Sequence, residues 1–326
     1  MSNVSSMESD RYHLVAITSN VSSTLKVRVG AAGLHLFNRN TGINLLVDEV
    51  SLPPSIWSTA PRQVSIALTN ACDLTCPHCY APKNPAVLDF EQLTVWLTHL
   101  DVNGCIGVGL GGGEPTLYPR LAELCSFVAE KTGLAVTMTT HAHHLSDRLL
   151  EDLSGNVHFI RVSMDGVEAT YESLRGRPFA TLIQRIKALS KRFPFGINFV
   201  VNSKTIDDLD KAIDLAEEFG CSEFLLLPQE ATLRTGGIDS DTCRILQEWV
   251  ANYRGCIPLA VSESGADGLP TCNPLIAETG LEAFAHIDAS GILKPTSYST
   301  DGVQILEDGV MLALHKLARS NQEINL

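Results

Sequence analysis

Three cysteines fall within eight residues, in the string Cys72-Asp73-Leu74-Thr75-Cys76-Pro77-His78-Cys79-Tyr80. They directly follow an apolar run at 64–69 that reads as a β-strand. Thiolates suit zinc or an iron–sulfur cluster. A structural zinc site wants four protein ligands, and only His78 stands nearby as a fourth. Three thiolates fit a four-iron cluster and leave one iron open to a substrate or a cofactor.

Further groups stand at the ends of later apolar runs. The second run ends in Gly111-Gly112-Gly113-Glu114-Pro115. Glycines there let the backbone turn and approach a ligand, and Glu114 offers an acceptor for an ammonium group. The fourth run ends in Ser163-Met164-Asp165-Gly166, and Arg175 follows with Gly176. An arginine fork pairs well with a carboxylate, whereas Asp165-Gly166 is equally a turn pair. The third run ends in Thr140-His141-Ala142-His143-His144. These histidines read as a substrate or cofactor contact through His141, as metal ligands, or as polar loop residues. Gln229 and Glu230, after the sixth run, read as loop residues or substrate contacts.

The spacing C-x3-C-x2-C resembles the signature of the radical S-adenosylmethionine superfamily, and the loop CDLTCPHCYAPK resembles members with SPASM or twitch extensions. The resemblance spans residues 62–300. It implies that Cys72, Cys76 and Cys79 hold a [4Fe–4S] cluster. Gly112, Gly113 and Glu114 then bind the methionyl amino group of S-adenosylmethionine. Ser163 and Arg175 contact its ribose and carboxylate, and His78 and Tyr80 face the adenine. It also implies reductive cleavage to a 5′-deoxyadenosyl radical that abstracts hydrogen from substrate. An external one-electron donor of flavodoxin or ferredoxin type is required. Modification of a ribosomally made peptide is the leading expectation. A small-molecule dehydrogenase, mutase or epimerase is the second, and a non-catalytic metal-binding protein the third.

In the family the extension carries a cysteine followed by G-x4-C. Here Cys272 is followed by Gly291-Ile292-Leu293-Lys294-Pro295-Thr296, and no cysteine comes after 272. A threonine hydroxyl is a poor iron ligand, so a reduced extension without an auxiliary cluster is expected. Cys243, Cys256 and Cys272 match no compact ligand set. Cys272 or Cys256 is read either as a hydrogen-atom donor or as an ordinary thiol.

These groups need a scaffold that gathers strand ends. Apolar runs at 64–69, 105–110, 134–140, 157–163, 195–201 and 222–228 alternate with amphipathic stretches at 90–100, 120–131, 146–153, 181–191 and 206–219. This predicts a parallel sheet, with strands buried on both faces, as a partial (β/α)6 TIM-like barrel. Before it, residues 1–61 read as a tail over 1–10, a β-rich module and a proline-containing linker. The core is 62–232. After it, 233–326 reads as a twitch-like extension, with a helix at 241–253, a strand at 257–262 and a hairpin over 284–295.

The 326 residues are 44% hydrophobic and 19% charged, which suits a soluble globular protein with a sizeable core. A net charge of −13 argues against a nucleic-acid partner. No run of apolar residues reaches membrane-spanning length, and no secretory signal opens the chain. The expected setting is the cytoplasm. Nine cysteines, an odd number, favour free thiols and metal ligands over a disulfide framework.

Overall fold

The computed structural model describes residues 25–232, 234–262, 265–273 and 275–324. The tail expected over 1–10 lies outside them. The first module is an antiparallel sheet of β1 (Leu25–Gly30), β2 (Gly33–Asn38) and β3 (Asn44–Val47). Gly33 sits at φ +106°, and a Cβ there would lie 2.4 Å from the Val47 carbonyl oxygen, so the β1–β2 turn requires glycine.

The alternation from residue 63 onward becomes six parallel strands in sequence order: β4 (Gln63–Thr69), β5 (Gly107–Gly112), β6 (Ala135–Thr140), β7 (Phe159–Ser163), β8 (Phe195–Val201) and β9 (Glu223–Pro228). Helices α1 (Phe90–Val102), α2 (Leu121–Lys131), α3 (Asp147–Leu153), α4 (Ala169–Arg175), α5 (Phe179–Leu189) and α6 (Leu209–Glu218) connect them. The expected partial barrel is therefore present, and it is open. The chain beyond it includes α7 (Ser240–Asn252) and α8 (Val310–Ile324). It also extends the same sheet at both edges. β10 (Leu259–Val261) joins β9 in parallel, and β11 (Phe284–Ile287) joins β4 in parallel. Antiparallel β12 (Ile292–Lys294) and β13 (Val303–Gln304) follow β11.

The two faces of this sheet differ. Outward residues such as Val64, Ile66, Val108, Leu110, Ile160, Val162, Phe199 and Phe224 are at most 1% exposed and belong to the main core with the helices. In α1, Leu93, Trp96, Leu97 and Leu100 recur at helical spacing and turn one stripe inward. Inward residues are only half-buried, and most are small or polar: Ser65, Gly109, Thr137, Arg161 and Asn198, beside Leu225. The expectation of strands buried on both faces thus holds only for the outer face, because the inner face lines a cleft.

Two buried polar links tie distant segments together. Arg28, 2% exposed, donates from Nε to Glu278 Oε1 at 2.8 Å and from Nη1 to the Ala60 carbonyl at 2.7 Å. Arg62 Nε donates to the other Glu278 oxygen at 2.9 Å. Removing one member leaves an uncompensated buried charge. Arg28→Met is therefore expected to cost about 3–5 kcal/mol, read as a lower urea midpoint of the apo protein. The second link joins Ser65 Oγ to His286 Nδ1 at 2.6 Å. Burial pushes the His286 pKa down to about 4, from 6.5. Between those values the unfolded chain binds more protons than the fold, so acidification from pH 6.5 to 4 destabilises, and the effect levels off below. His286→Gln should flatten that part of the stability–pH curve by on the order of 3 kcal/mol, measured by urea titration at a series of pH values.

Candidate active site

The loop after β4 carries the three cysteines to the C-terminal ends of the strands, the face where β/α folds place chemistry. A cleft of about 410 Å³ opens there and reaches down the inner face of the sheet. Cys72, Cys76, Cys79, His78, Tyr80, Gly112, Gly113, Glu114, His141, Ser163 and Arg175 all line it.

Each thiol faces an N–H donor. Leu74 N–H lies 3.4 Å from Cys72 Sγ, Arg175 Nη1 lies 3.6 Å from Cys76 Sγ, and Lys83 Nζ lies 3.8 Å from Cys79 Sγ. Burial pushes the Cys76 thiol up in pKa, while the Arg175 charge opposes that shift. Loading a metal centre removes these thiol protons. A single zinc ion with Zn–S bonds of about 2.3 Å would draw its sulfurs to roughly 3.8 Å from one another. The three cysteines do not gather within 4.8 Å, and their donor set fits a larger, thiolate-ligated group. Cys72, Asp73 and His141 do gather at that spacing, but Asp73 and His141 use those atoms on each other at 3.0 Å.

Asp165 lies 1% exposed beneath the loop. It accepts from His78 Nε2 at 2.9 Å, from Val200 N–H at 2.9 Å and from Arg175 Nη2. Burial works to raise its pKa, but the Arg175 charge and the His78 hydrogen bond overcome this and hold it near 2. Asp165 is therefore an ionised anchor rather than a simple turn residue. It orients both His78 and Arg175.

Glu114, also 1% exposed, receives Thr116 N–H at 3.1 Å, the Thr116 and Thr140 hydroxyls at 2.6 Å each, and His141 N–H at 3.0 Å. The glycine run beside it also has a packing role. A Cβ on Gly112 would meet the Thr69 carbonyl at 2.3 Å, and one on Gly113 the Ala71 carbonyl at 2.3 Å. These two glycines let the chain pass the β4 loop. Gly111, with nothing within 4 Å of its missing Cβ, is the one that leaves room in the cleft.

His141 is 4% exposed and clamped between Asp73 and Glu114, which favours a positioning contact over a free reactive ring. Cys272 and Cys256 are exposed and do not line the cleft, so the geometry gives neither a hydrogen-donor position. The sequence reading missed Tyr298, whose ring lies 4.9 Å from that of Tyr80 at the mouth. It also missed His286 and Arg161 on the inner face. Alternation along the strands was the available signal for Arg161.

Known proteins resemble the chain in several ways. An AdoMet-dependent heme synthase of Methanosarcina barkeri is 32% identical over 183 residues, covering 52% of this chain and 52% of the relative. The sporulation killing factor maturation protein SkfB of Bacillus subtilis is 29% identical over 198 residues, covering 58% and 48%. The chain thus spans about half the length of the curated relatives it matches. In fold it is similar to Streptococcus suis SuiB bound to the precursor peptide SuiA. The TM-score is 0.72 at 16% identity, with 90% of this chain and 87% of that one covered. Among the described residues no helix is long and apolar enough to cross a membrane. The family model of the radical SAM superfamily matches residues 66–235, the stretch that carries the end of β4, the cysteine loop and the other five core strands, and the chain belongs to that superfamily, whose cofactors are a [4Fe–4S] cluster and S-adenosylmethionine.

Proposed function

We propose that this chain is an enzyme that binds one [4Fe–4S] cluster through Cys72, Cys76 and Cys79, binds S-adenosylmethionine beside it, and modifies a ribosomally made peptide by radical chemistry. The outcome would be a crosslink, an epimerisation or a similar step. The observation that carries this reading is the single cleft joining the three thiols to the polar inner face of the sheet. When bound, the two groups supply a carbon-centred radical through one-electron cleavage of a sulfonium. The chain's own residues hold and shield that event. Leu74 N–H, Arg175 and Lys83 face the three sulfurs. Asp165 locks Arg175 and His78 in place. Ser163 offers an oxygen atom along the same wall, and Glu114 holds Thr140 and His141 in place beside it. Tyr80 and Tyr298 flank the mouth and narrow the access of water. A one-electron donor of flavodoxin or ferredoxin type would supply the electron, in the cytoplasm.

A peptide substrate is supported by the likeness in fold to SuiB, solved with its precursor peptide, and by the similarity to SkfB. A small-molecule substrate is the second reading, favoured by the 32% identity with the heme synthase. The first test is anaerobic incubation of the reconstituted protein with S-adenosylmethionine and dithionite. Formation of 5′-deoxyadenosine is expected, and its absence despite a reducible four-iron centre counts against the reading. Mass spectrometry of co-expressed candidate peptides then separates peptide from small-molecule substrates.

Two further outcomes are expected. Single alanine replacements of Cys72, Cys76 or Cys79 should cut iron well below about four per chain and abolish 5′-deoxyadenosine, whereas Cys243→Ala should leave the iron content unchanged. Arg175→Lys loses the fork that reaches both Cys76 and Asp165. Hydrogen bonds to cluster sulfurs help set reduction potential, so this variant should show a more negative midpoint in EPR-monitored redox titration.

A further inference from the structure

The cleft continues below the layer of Ser163, and its floor is polar. On β7, Arg161 lies two residues beneath Ser163, which is about 6.6 Å down the strand. Its Nη2 pairs with Glu223, which holds the guanidinium in place. Its Cζ lies 5.2 Å from the Phe159 ring. Its Nη1 is buried and has no hydrogen-bond partner. Across the floor, Ser65 and His286 are joined at 2.6 Å, and Gln63 and Thr137 stand on either side of Gly109. A Cβ on Gly109 would meet Thr137 Oγ1 at 3.4 Å and Gln63 Nε2 at 3.8 Å, so the missing side chain leaves a gap between two polar groups.

Glu230 lies past the end of β9, away from the floor, and the two other acids of the wall are committed. Glu114 is occupied by Thr116, Thr140 and His141, and Asp165 by Arg175, His78 and Val200. The buried atoms at the floor without a hydrogen bond are the Arg161 Nη1 donor and the acceptors Glu223 Oε1 and Asn198 Oδ1, so a carboxylate meets the donor and a carboxamide meets a donor and an acceptor together. A guanidinium donor in a fixed orientation selects planar oxygen acceptors. A buried donor left unpaired is costly, and a ligand that completes it gains that penalty back.

Resting on the radical-enzyme reading above, we infer that the floor around Arg161 is the anchoring subsite for the substrate residue that reacts, and that it takes a planar, oxygen-bearing side-chain end, a carboxylate or a carboxamide. Ser163 lies one inward layer above Arg161, on the side where the cofactor would bind, so a side chain anchored at Arg161 directs its own Cα and Cβ toward that layer. Aliphatic and aromatic residues would reach the same space and leave Arg161 unpaired.

The test is calorimetric binding to the anaerobically loaded protein with S-adenosylmethionine and no reductant. The probes are N-acetylated, C-amidated alanine tripeptides with glutamate, glutamine or leucine at the centre. The expected result is at least tenfold tighter binding of the glutamate or the glutamine peptide than of the leucine peptide. A preference for glutamate identifies the carboxylate as the ligand, and equal or greater affinity for glutamine identifies the carboxamide. Arg161→Lys, which keeps a charge for Glu223 but loses the fork, should remove most of the preference. If that variant fails to load a cluster, Thr137→Val tests the same floor and should weaken the preference. Equal binding of the three peptides, no binding by any, or a preference that survives the floor variants overturns the inference. The wild-type protein separates the two levels. 5′-Deoxyadenosine formation with unselective peptide binding sinks the subsite alone. Selective binding without 5′-deoxyadenosine sinks the reaction reading alone.

Discussion

One buried carboxylate organises the reactive end of this molecule. Asp165 stands at the end of β7, almost without solvent. An ionised group in such a place is tolerable only if its oxygens are satisfied by charge and hydrogen bonds. Three elements meet that demand: α4 through Arg175, the cysteine loop through His78, and β8 through the Val200 amide. Because the carboxylate cannot lose any of them cheaply, it fixes their mutual positions. The cysteine loop has little regular structure of its own, and this contact docks it against the barrel.

The same sheet serves two purposes by alternation. Outward residues pack against helices at full burial and supply the stability. Inward residues are mostly small or polar and leave a cleft where a closed barrel would have a packed interior. Stability and the cleft are therefore assigned to alternate positions of the same strands. A one-residue slip in register would exchange the two. The anchors Arg28–Glu278 and Ser65–His286 hold the N-terminal module and β11 against β4, at the edge where such a slip would be felt.

Local spacing was the most legible part of the sequence. The cysteine loop, the glycine-rich end of β5 and the six β–α alternations depend on neighbours in the chain, and they appear where spacing and period place them. The roles of Asp165 and Tyr298 depend on distant partners, and Asp165-Gly166 looks like a turn in isolation. Helix α4, which carries Arg175, is too short to show a period. It is entered through Glu168 at φ +48° and closed by Gly176 at φ +65°, and composition announces only the second. The inner face was legible in principle, since Ser65, Gly109, Thr137 and Thr139 alternate with large apolar residues. Reading those runs as continuously apolar hid the cleft. Helix α8 carries its period openly in Val310, Ala313, Leu314 and Leu317, all buried, yet the expectation for the extension omits it.

The pairing of β11 with β4 has a consequence for the order of events during synthesis. Ser65 meets His286 across 221 positions of chain, and Arg28 meets Glu278 across 250. While a ribosome is still making the middle of the protein, the cysteine loop already exists but one wall of its chamber does not. While the residues between the cysteine loop and β11 are being made, the nascent thiols stand beside an unfinished edge strand, open to oxidants and to neighbouring chains. The wall of the cleft is complete only after β11 has left the exit tunnel and paired with β4.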